Sequence, residues 1–353
     1  MFDRFGMVQF ARGEAKDLGS GYCVDDNARA LICAVAALRL DPKQTDADRI
    51  GRASLDFVAK AQLDDGGFHN LMDESGEFTD REGSEDSIGR AVWACGIAAR
   101  CAPDDAQRAR AESVLLRALP RAAKLAQLRP RGYALLGLMA AVGPARASAV
   151  APSVEAVSAP LFGAASAQLG PLAAAWNADF RRAATDEWPW WEDELSWGNA
   201  RLPEVSLRSA LACEEPAYAV TGLRALGFLS SVTQPHGIFV PIGNRGWYRR
   251  GGIRPLYDQQ PIEACGMVDA WLAAHAVTRD PAYHDQALTV FEWFFGRNTD
   301  ELLVARPEIG GCYDGLEPGR VNRNMGAEST LSYLQAHLSI AHATRPPTPS
   351  PMV

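Results

Sequence analysis

Residues 21–40 read GYCVDDNARALICAVAALRL, a polar block that runs directly into apolar residues at helical spacing. Ala28, Leu31, Ile32, Val35 and Leu38 recur every three or four positions, which puts them on one face of a helix. Asp41-Pro42 ends that helix, because proline lacks the N–H that the next turn needs. The same grammar, a polar block followed by an apolar helix, recurs along the chain. It predicts helices at about Asp48–Gln62, Ser87–Arg100 and Asp105–Ala126 and from Arg131 through RGYALLGLMAAV, which a small-residue stretch from Ala145 to about Ala175 follows. Further helices are expected at Pro203–Ala212, Tyr218–Ser231, Pro261–Val277, Pro281–Gly296 and Gly326–Ala343. Helical periodicity dominates, and no segment shows sustained apolar/polar alternation.

The connections carry the architecture. Long, polar, aromatic-rich segments precede the helices starting near residues 25, 86, 203, 261 and 326, and short turns such as LDPKQTDAD and RDPAY follow them. A start near residue 131 completes a set of six, at intervals of roughly 45 to 72 residues. Six helical hairpins with long loops at one end and short turns at the other predict an all-α fold, an (α/α)6 toroid. Its inner helices converge on a central cavity whose mouth is formed by the long loops. An α-solenoid or irregular bundle competes, but a solenoid should show a steadier period. Residues 1–343 are read as one toroid, and residues 344–353, ending RPPTPSPMV, as a disordered Pro-rich tail.

Composition narrows the function. With 35 Lys+Arg against 43 Asp+Glu, the net charge of −8 argues against a nucleic-acid binder, which needs a basic face. No stretch approaches the roughly 20 apolar residues that span a bilayer. The N-terminus, MFDRFGMVQFARG, has no secretory apolar region, so the expected compartment is the cytoplasm. Seven cysteines without a CxxC pair suggest neither a disulfide framework nor a structural zinc. The 47% hydrophobic and 22% charged content is that of an ordinary globular protein.

Carboxylates gather where the proposed inner helices begin. The blocks are GYCVDDNAR (21–29), GSEDSIGR (83–90), YDQQPIE (257–263) and NRNMGAEST (322–330). Capping of free helix N–H groups explains any single block. Four at one end of a ring would direct seven carboxylates at one space, and these supply the catalytic candidates Asp25, Asp26, Glu85, Asp86, Asp258 and Glu328. Adjacent Asp25 and Asp26 are the sharpest feature. Mutual repulsion raises one pKa and suits it to be a general acid, while the helix N-terminus pulls both down. Asp26, extending toward the ring interior, is the first choice for chemistry. Its partner is sought across the ring, at Glu85, Asp86, Asp258 or Glu328. Glu328 has a structural alternative, a salt bridge with Arg29 or Arg90.

Aromatics form the second signal. Residues 188–197, WPWWEDELSW, carry four tryptophans among acids, and Trp247 follows a Gly-rich loop. Flat rings beside carboxylates and amides hold sugar rings, so Trp190, Trp191, Trp197 and Trp247 are expected to line the cleft. Core packing competes for each. Arg81, Asn199, Arg201 and Gln259 are expected to hydrogen-bond hydroxyls, and Tyr22, Asn27, His69 and Asn324 complete the binding set. His337 and His342 are five apart and share no helix face, and no HExxH, GxSxG, P-loop or GxGxxG motif occurs, so no metal or cofactor is expected. Cys23 and Cys312 read as small buried thiols rather than nucleophiles.

The blocks GYCVDDNARALI, GSEDSIGRAVWA, WGNARLP, YDQQPIEA and NMGAESTLSYL together resemble a bacterial α-helical toroid domain associated with glycosyltransferases, with matches from residue 6 to about residue 340. The wider resemblance is to (α/α)6 carbohydrate-active enzymes, whose glycoside hydrolases place two carboxylates at the mouth of the ring. Asp25-Asp26 is similar to the adjacent Asp pair of one α-mannanase group, although Asn27-Ala28-Arg29 stands where that group has bulky aromatics. The resemblance implies a glycoside hydrolase acting on an oligo- or polysaccharide, with a glycosyltransferase as partner. Phosphorylase and lyase are less favoured. Lyase chemistry usually wants a Tyr/His pair, and the histidines sit mostly outside the polar blocks. A non-catalytic glycan-recognition domain serving a glycosyltransferase is the alternative. Gln62-Leu63-Asp64-Asp65-Gly66-Gly67-Phe68 loosely resembles an isoprenoid-cyclase repeat, but it occurs once and no DxDD acid motif accompanies it.

Overall fold

A computed structural model describes residues 1–143 and 157–345. The first part of the small-residue stretch and almost all of the Pro-rich tail lie outside the described residues. Eleven α-helices are described: α1 (Val24–Leu40), α2 (Thr45–Ala61), α3 (Glu85–Cys101), α4 (Asp105–Ala122), α5 (Leu128–Val142), α6 (Ala159–Ala183), α7 (Arg201–Ala212), α8 (Pro216–Thr233), α9 (Pro261–Thr278), α10 (Pro281–Phe291) and α11 (Ala327–Thr344). Most boundaries fall within a few residues of those the periodicity predicts. The exceptions are α6, which runs to Ala183, past the small-residue stretch expected to end near Ala175, and α10, which gives way to a 3₁₀ turn at Glu292–Phe294.

The odd-numbered helices form the inner ring. Each packs on the next, α1 on α3, α3 on α5, α5 on α7, α7 on α9 and α9 on α11, and α11 closes back onto α1. Even-numbered helices lie outside, α2 against α1, α4 against α3, α6 against α5, α8 against α7 and α10 against α9. This is the (α/α)6 arrangement, with the sixth hairpin represented among the described residues by its inner helix alone. Burial explains the two layers. α9 is buried on nearly every side, as an inner helix must be, whereas α2 buries only Ala47, Gly51, Ser54, Leu55, Phe57, Val58 and Ala61 along one stripe. Where α3 meets α5 the backbones nearly touch. A Cβ on Gly96 would lie 2.1 Å from the Gly137 carbonyl oxygen, so only glycine permits that approach. No helix is long and apolar enough to cross a membrane.

The connection before α5 is short, residues 123–127, because Glu85 ties Ala126 and Gln127 directly to the start of α3. Strands also occur, all in the loops. β1 (Val8–Arg12), β2 (Ala15–Cys23) and β3 (Leu71–Met72) form an antiparallel sheet at the mouth. Three two-stranded ribbons join β4 (Glu194–Leu195) to β5 (Tyr248–Arg249), β6 (Ala305–Arg306) to β7 (Gly311–Cys312), and β8 (Gly315–Glu317) to β9 (Arg320–Asn322). The two- and three-residue ribbons are too short to show period-two alternation, and β2, though nine residues long, is mostly exposed over its first six and buried over its last three, so it does not alternate either.

Candidate active site

The first turns of α1 and α11 and the segment leading into α9 bring their polar residues to one cavity. In α1 the Cys23 thiol caps the start, accepting from the Asp26 N–H at 3.4 Å. Consecutive helical residues point about 100° apart, and Asp25 and Asp26 accordingly diverge. Asp26 turns toward α11. Its Oδ1 accepts from Arg29 at 2.7 Å, its Oδ2 from the Cys23 thiol at 3.1 Å, and the other arm of Arg29 reaches Glu328 at 2.6 Å. Burial is the largest influence on Asp26 and outweighs the attraction of Arg29, so its pKa is pushed up to about 6. Asp25 turns toward α3, where Arg90 stands 3.8 Å away, and its Oδ1 has no hydrogen-bond partner. Asp86 lies beyond, its pKa raised by burial against the pull of Arg90.

A cavity of about 340 Å³ opens over Asp25, Asp26 and Arg29 of α1, Asp258 and Gln260 ahead of α9, and Asp314 and Glu328 beside α11, with Phe10 of β1 at its edge. Asp258 is raised above the usual carboxylate range by burial, then by its neighbours Glu317 and Asp314. Its Oδ1 is shielded from water and has no partner. Asp314 is raised by burial too, while accepting from the Gly326 N–H at 2.7 Å. Both carboxylates rest against glycines. A Cβ on Gly315 would come within 2.7 Å of Asp258 Oδ1, and one on Gly326 within 3.0 Å of Asp314 Oδ1. Stacked side chains plug the ring axis below this cavity, and beyond them a second cavity of about 590 Å³ opens among all six inner helices, between residues such as Ile32, Ile97, Met139, Arg208, Asp269 and Gln335. Arg201 lies over Trp93 at 4.9 Å, Trp93 stacks on Tyr133 at 5.6 Å, and Arg90 covers Tyr133 at 4.3 Å.

Asp25, Asp26, Asp258 and Glu328 are brought together at this cavity, with Asp86 beside them. Glu85 is not; its carboxylate accepts from the N–H groups of Ala126 and Gln127 and serves α5. The expected pairing of Glu328 with Arg29 is present.

Several expected binding residues are structural. Trp190 and Trp191 are core residues: Trp190 is fully buried, and Trp191 packs on Phe180 while donating to the Trp176 carbonyl at 3.1 Å. Large rings bury whenever an outer helix offers a groove, and here α6 and α8 do. Arg201 is buried, and its guanidinium is held by Glu204 at 2.6 Å and Asp269 at 2.7 Å. Gln259 is fully buried, its Nε2 donating to Thr299 Oγ1 and its Oε1 accepting from Trp293. Asn27 bridges the Met7 N–H and the Cys23 carbonyl, and Tyr22 is buried with its hydroxyl donating to Asp3. Asn199 donates to Ser196 and to Glu263, a buried carboxylate that also gathers the Gly198 N–H. His69 stacks on Phe78 and bonds the Asp80 carbonyl in the loop before α3. Asn324 accepts from the Gly13 N–H, tying β1–β2 to the start of α11, and Arg81 is exposed on its loop. Trp247 is half-buried against the core. Trp197 is half-buried between the Arg90 and Arg129 guanidiniums, on the α3–α5 side of the mouth.

Asp314 is the site residue that sequence reading missed. It precedes a ribbon rather than a helix, so it lacks the block signature; the CYDG turn around it is the one available signal. Cys23 and Cys312 are buried thiols whose pKa values burial drives up, the opposite of an activated nucleophile.

No family model matches the sequence, and no curated protein matches it. Solved structures do match in shape. A D-mannose isomerase aligns with a TM-score of 0.67 at 12% identity, over 97% of this chain and 93% of its own. A cellobiose 2-epimerase from Spirochaeta thermophila aligns at 0.68 and 13% identity, over 96% and 89%. A GH76 α-mannanase from Bacteroides thetaiotaomicron aligns at 0.58 and 10% identity, over 91% and 86%. At these identities the likeness is one of fold, and that fold is the helical toroid.

Proposed function

We propose that residues 1–343 form one carbohydrate-active enzyme that cleaves a glycosidic bond by acid–base chemistry between carboxylates at the mouth of the ring. The observation that carries this is the convergence of Asp26, in the first turn of α1, and Asp258, in the segment leading into α9, on one cavity. A glycosidase needs two carboxyl groups flanking the scissile bond, one able to give a proton and one to take it or attack. Asp26, with its pKa near 6, can do either close to neutral pH. Asp258 offers a shielded, unpartnered oxygen on the other wall and supplies the second group. Arg29 holds Asp26 and Glu328 in place. The shape match to the α-mannanase supports the same reading.

A sugar isomerase or epimerase is the second reading, favoured by the shape matches to the D-mannose isomerase and the cellobiose 2-epimerase. That chemistry needs one base at a C–H bond rather than two groups flanking an ether oxygen, and Asp26 would be that base. Association with a glycosyltransferase rests on the sequence blocks alone. One experiment separates these readings. Purified protein is incubated with a panel of oligosaccharides and reducing monosaccharides, while new reducing ends and sugar interconversion are followed separately. Hydrolysis predicts new reducing ends that vanish in Asp258→Asn. Interconversion without cleavage would favour the isomerase reading, and binding without turnover would reduce the chain to a glycan-recognition module.

A further inference from the structure

The second cavity, about 590 Å³, lies toward the C-terminal ends of the inner helices, beyond the plug from the mouth carboxylates. Its volume is that of a small-molecule site. Its walls are aliphatic: Ile32, Ile97, Leu136, Met139, Leu211 and Leu272, from five of the inner helices, line it. Trp93 lines it too, but that ring is already engaged by Tyr133 at 5.6 Å and Arg201 at 4.9 Å. Such walls fit a hydrocarbon chain, whereas a sugar needs hydrogen-bonding groups on several sides. The acids in the lining are spent. Glu204 is held by Arg201 at 2.6 Å and Arg208 at 2.7 Å, and Asp269 accepts from Arg201, Gln335 and Ser339. Two cations in the lining are not. Among the described residues neither Arg39 nor Arg100 has an ion pair. Arg39 is exposed in the last turn of α1. The Arg100 guanidinium packs over Gly143, itself part of the lining, and its Nη1 donates to the Ala141 and Val142 carbonyls. Helix-end carbonyls carry only partial charge, so a net positive charge remains at this end of the ring. Two neighbours register it: Arg39 and Arg100 draw the Cys101 thiol down against its burial, and Arg39 adds to the burial that lowers His342.

We propose that this second cavity is a binding site for a medium-chain aliphatic carboxylate, with the hydrocarbon chain between the aliphatic walls and the carboxylate at Arg39 and Arg100. The site is separate from the mouth and independent of the sugar-active reading. A neutral alkyl chain would cover the walls and leave both cations without a partner, and an alkylammonium would be repelled by them. A small anion alone would meet the cations and leave the aliphatic walls facing water. An aliphatic acid satisfies both.

The test is binding to the full chain, measured by calorimetry at pH 7.5 and low salt. The probes are acetate, hexanoate, octanoate, decanoate, 1-octanol and octylammonium. Affinity should rise roughly two- to fourfold with each added methylene from hexanoate to decanoate, and acetate should not bind. Octanoate should bind about fivefold or more tightly than octanol, and octylammonium more weakly than either. Added salt should narrow the gap between octanoate and octanol. Arg39→Gln combined with Arg100→Gln should close that gap while octanol binds within about twofold of its original affinity. Arg39→Gln alone, at an exposed position, should already narrow it and serves if the double variant fails to fold. Ala140→Phe, which fills the cavity from α5, should weaken octanoate and octanol alike by about tenfold or more, with Ala36→Leu as the second choice. Asp258→Asn, at the mouth, should change neither. The proposal is overturned if octanoate does not bind, if octanol or octylammonium binds as well, if affinity is indifferent to chain length, or if folded Arg or cavity-filling variants bind as the parent does.

Discussion

Asp26→Asn tests two properties of one carboxylate at once. Its pKa stands near 6 against an ordinary 3.8, with burial as the main cause. The folded protein therefore holds this proton more tightly than the unfolded chain, and folding takes up a proton between those two pH values. The sign follows: the contribution is harmless below about pH 4 and becomes a growing cost as pH rises to 6, after which it is constant. The size is the shift of about two pH units multiplied by about 1.4 kcal/mol, or ~3 kcal/mol, with the attraction of Arg29 already included. An asparagine cannot ionise, so this cost disappears. The assay is urea unfolding of both proteins at pH 4, 5, 6 and 7. The stability of Asp26→Asn relative to the parent should climb by up to ~3 kcal/mol across that range, whatever constant offset the lost ion pair introduces. Taking the difference between the two curves cancels the other titrating acids. The same variant should lose about 10²–10⁴ in kcat, as removal of an acid–base group does. Parallel stability curves would refute the raised proton affinity, and a rate within a few-fold of the parent would remove Asp26 from the chemistry.

Three further outcomes follow from the packing around the site. Trp190→Ala should cost about 3–5 kcal/mol in denaturant unfolding, because the ring is fully buried against Trp191 and Phe228, with no selective loss of sugar affinity; lost affinity at unchanged stability would return Trp190 to the cleft. Glu85→Gln should lower stability by about 1 kcal/mol, the scale of a helix cap, and leave kcat/KM within about threefold, since it serves the α5 entry; a rate loss of orders of magnitude would restore it to the catalytic set. Gly315→Ala should cost on the order of 10²-fold in kcat/KM, because the new methyl sits 2.7 Å from Asp258 Oδ1 and 2.9 Å from the Gln259 carbonyl oxygen and must displace the carboxylate. Unchanged turnover in that variant would mean that the position of Asp258 is not critical.

What sequence alone determined was the local physics and its repetition. An apolar stripe at 3.6-residue spacing, stopped by Asp41-Pro42 and restarted after each polar block, dictates helices, and the recurrence of the pattern dictates a ring. The acids at helix starts were legible for the same reason, since position within a first turn is a one-dimensional property. Orientation was not. Asp25 and Asp26 are neighbours in the chain, yet one turns to Arg90 and the other to Arg29, because only the packing of α3 and α11 on either side of α1 assigns a partner to each. The tryptophan-rich loop looked like a cleft wall because its composition is polar and aromatic, but tertiary structure folds Trp190 and Trp191 outward under α6 and α8. Asp314 was missed because its place at the cavity is set by a ribbon packing beside α11, far in sequence from Asp25 and Asp258. Burial is a property of the assembled ring, and burial is what raises Asp26, Asp258 and Asp314 and leaves Asp258 an oxygen without a partner.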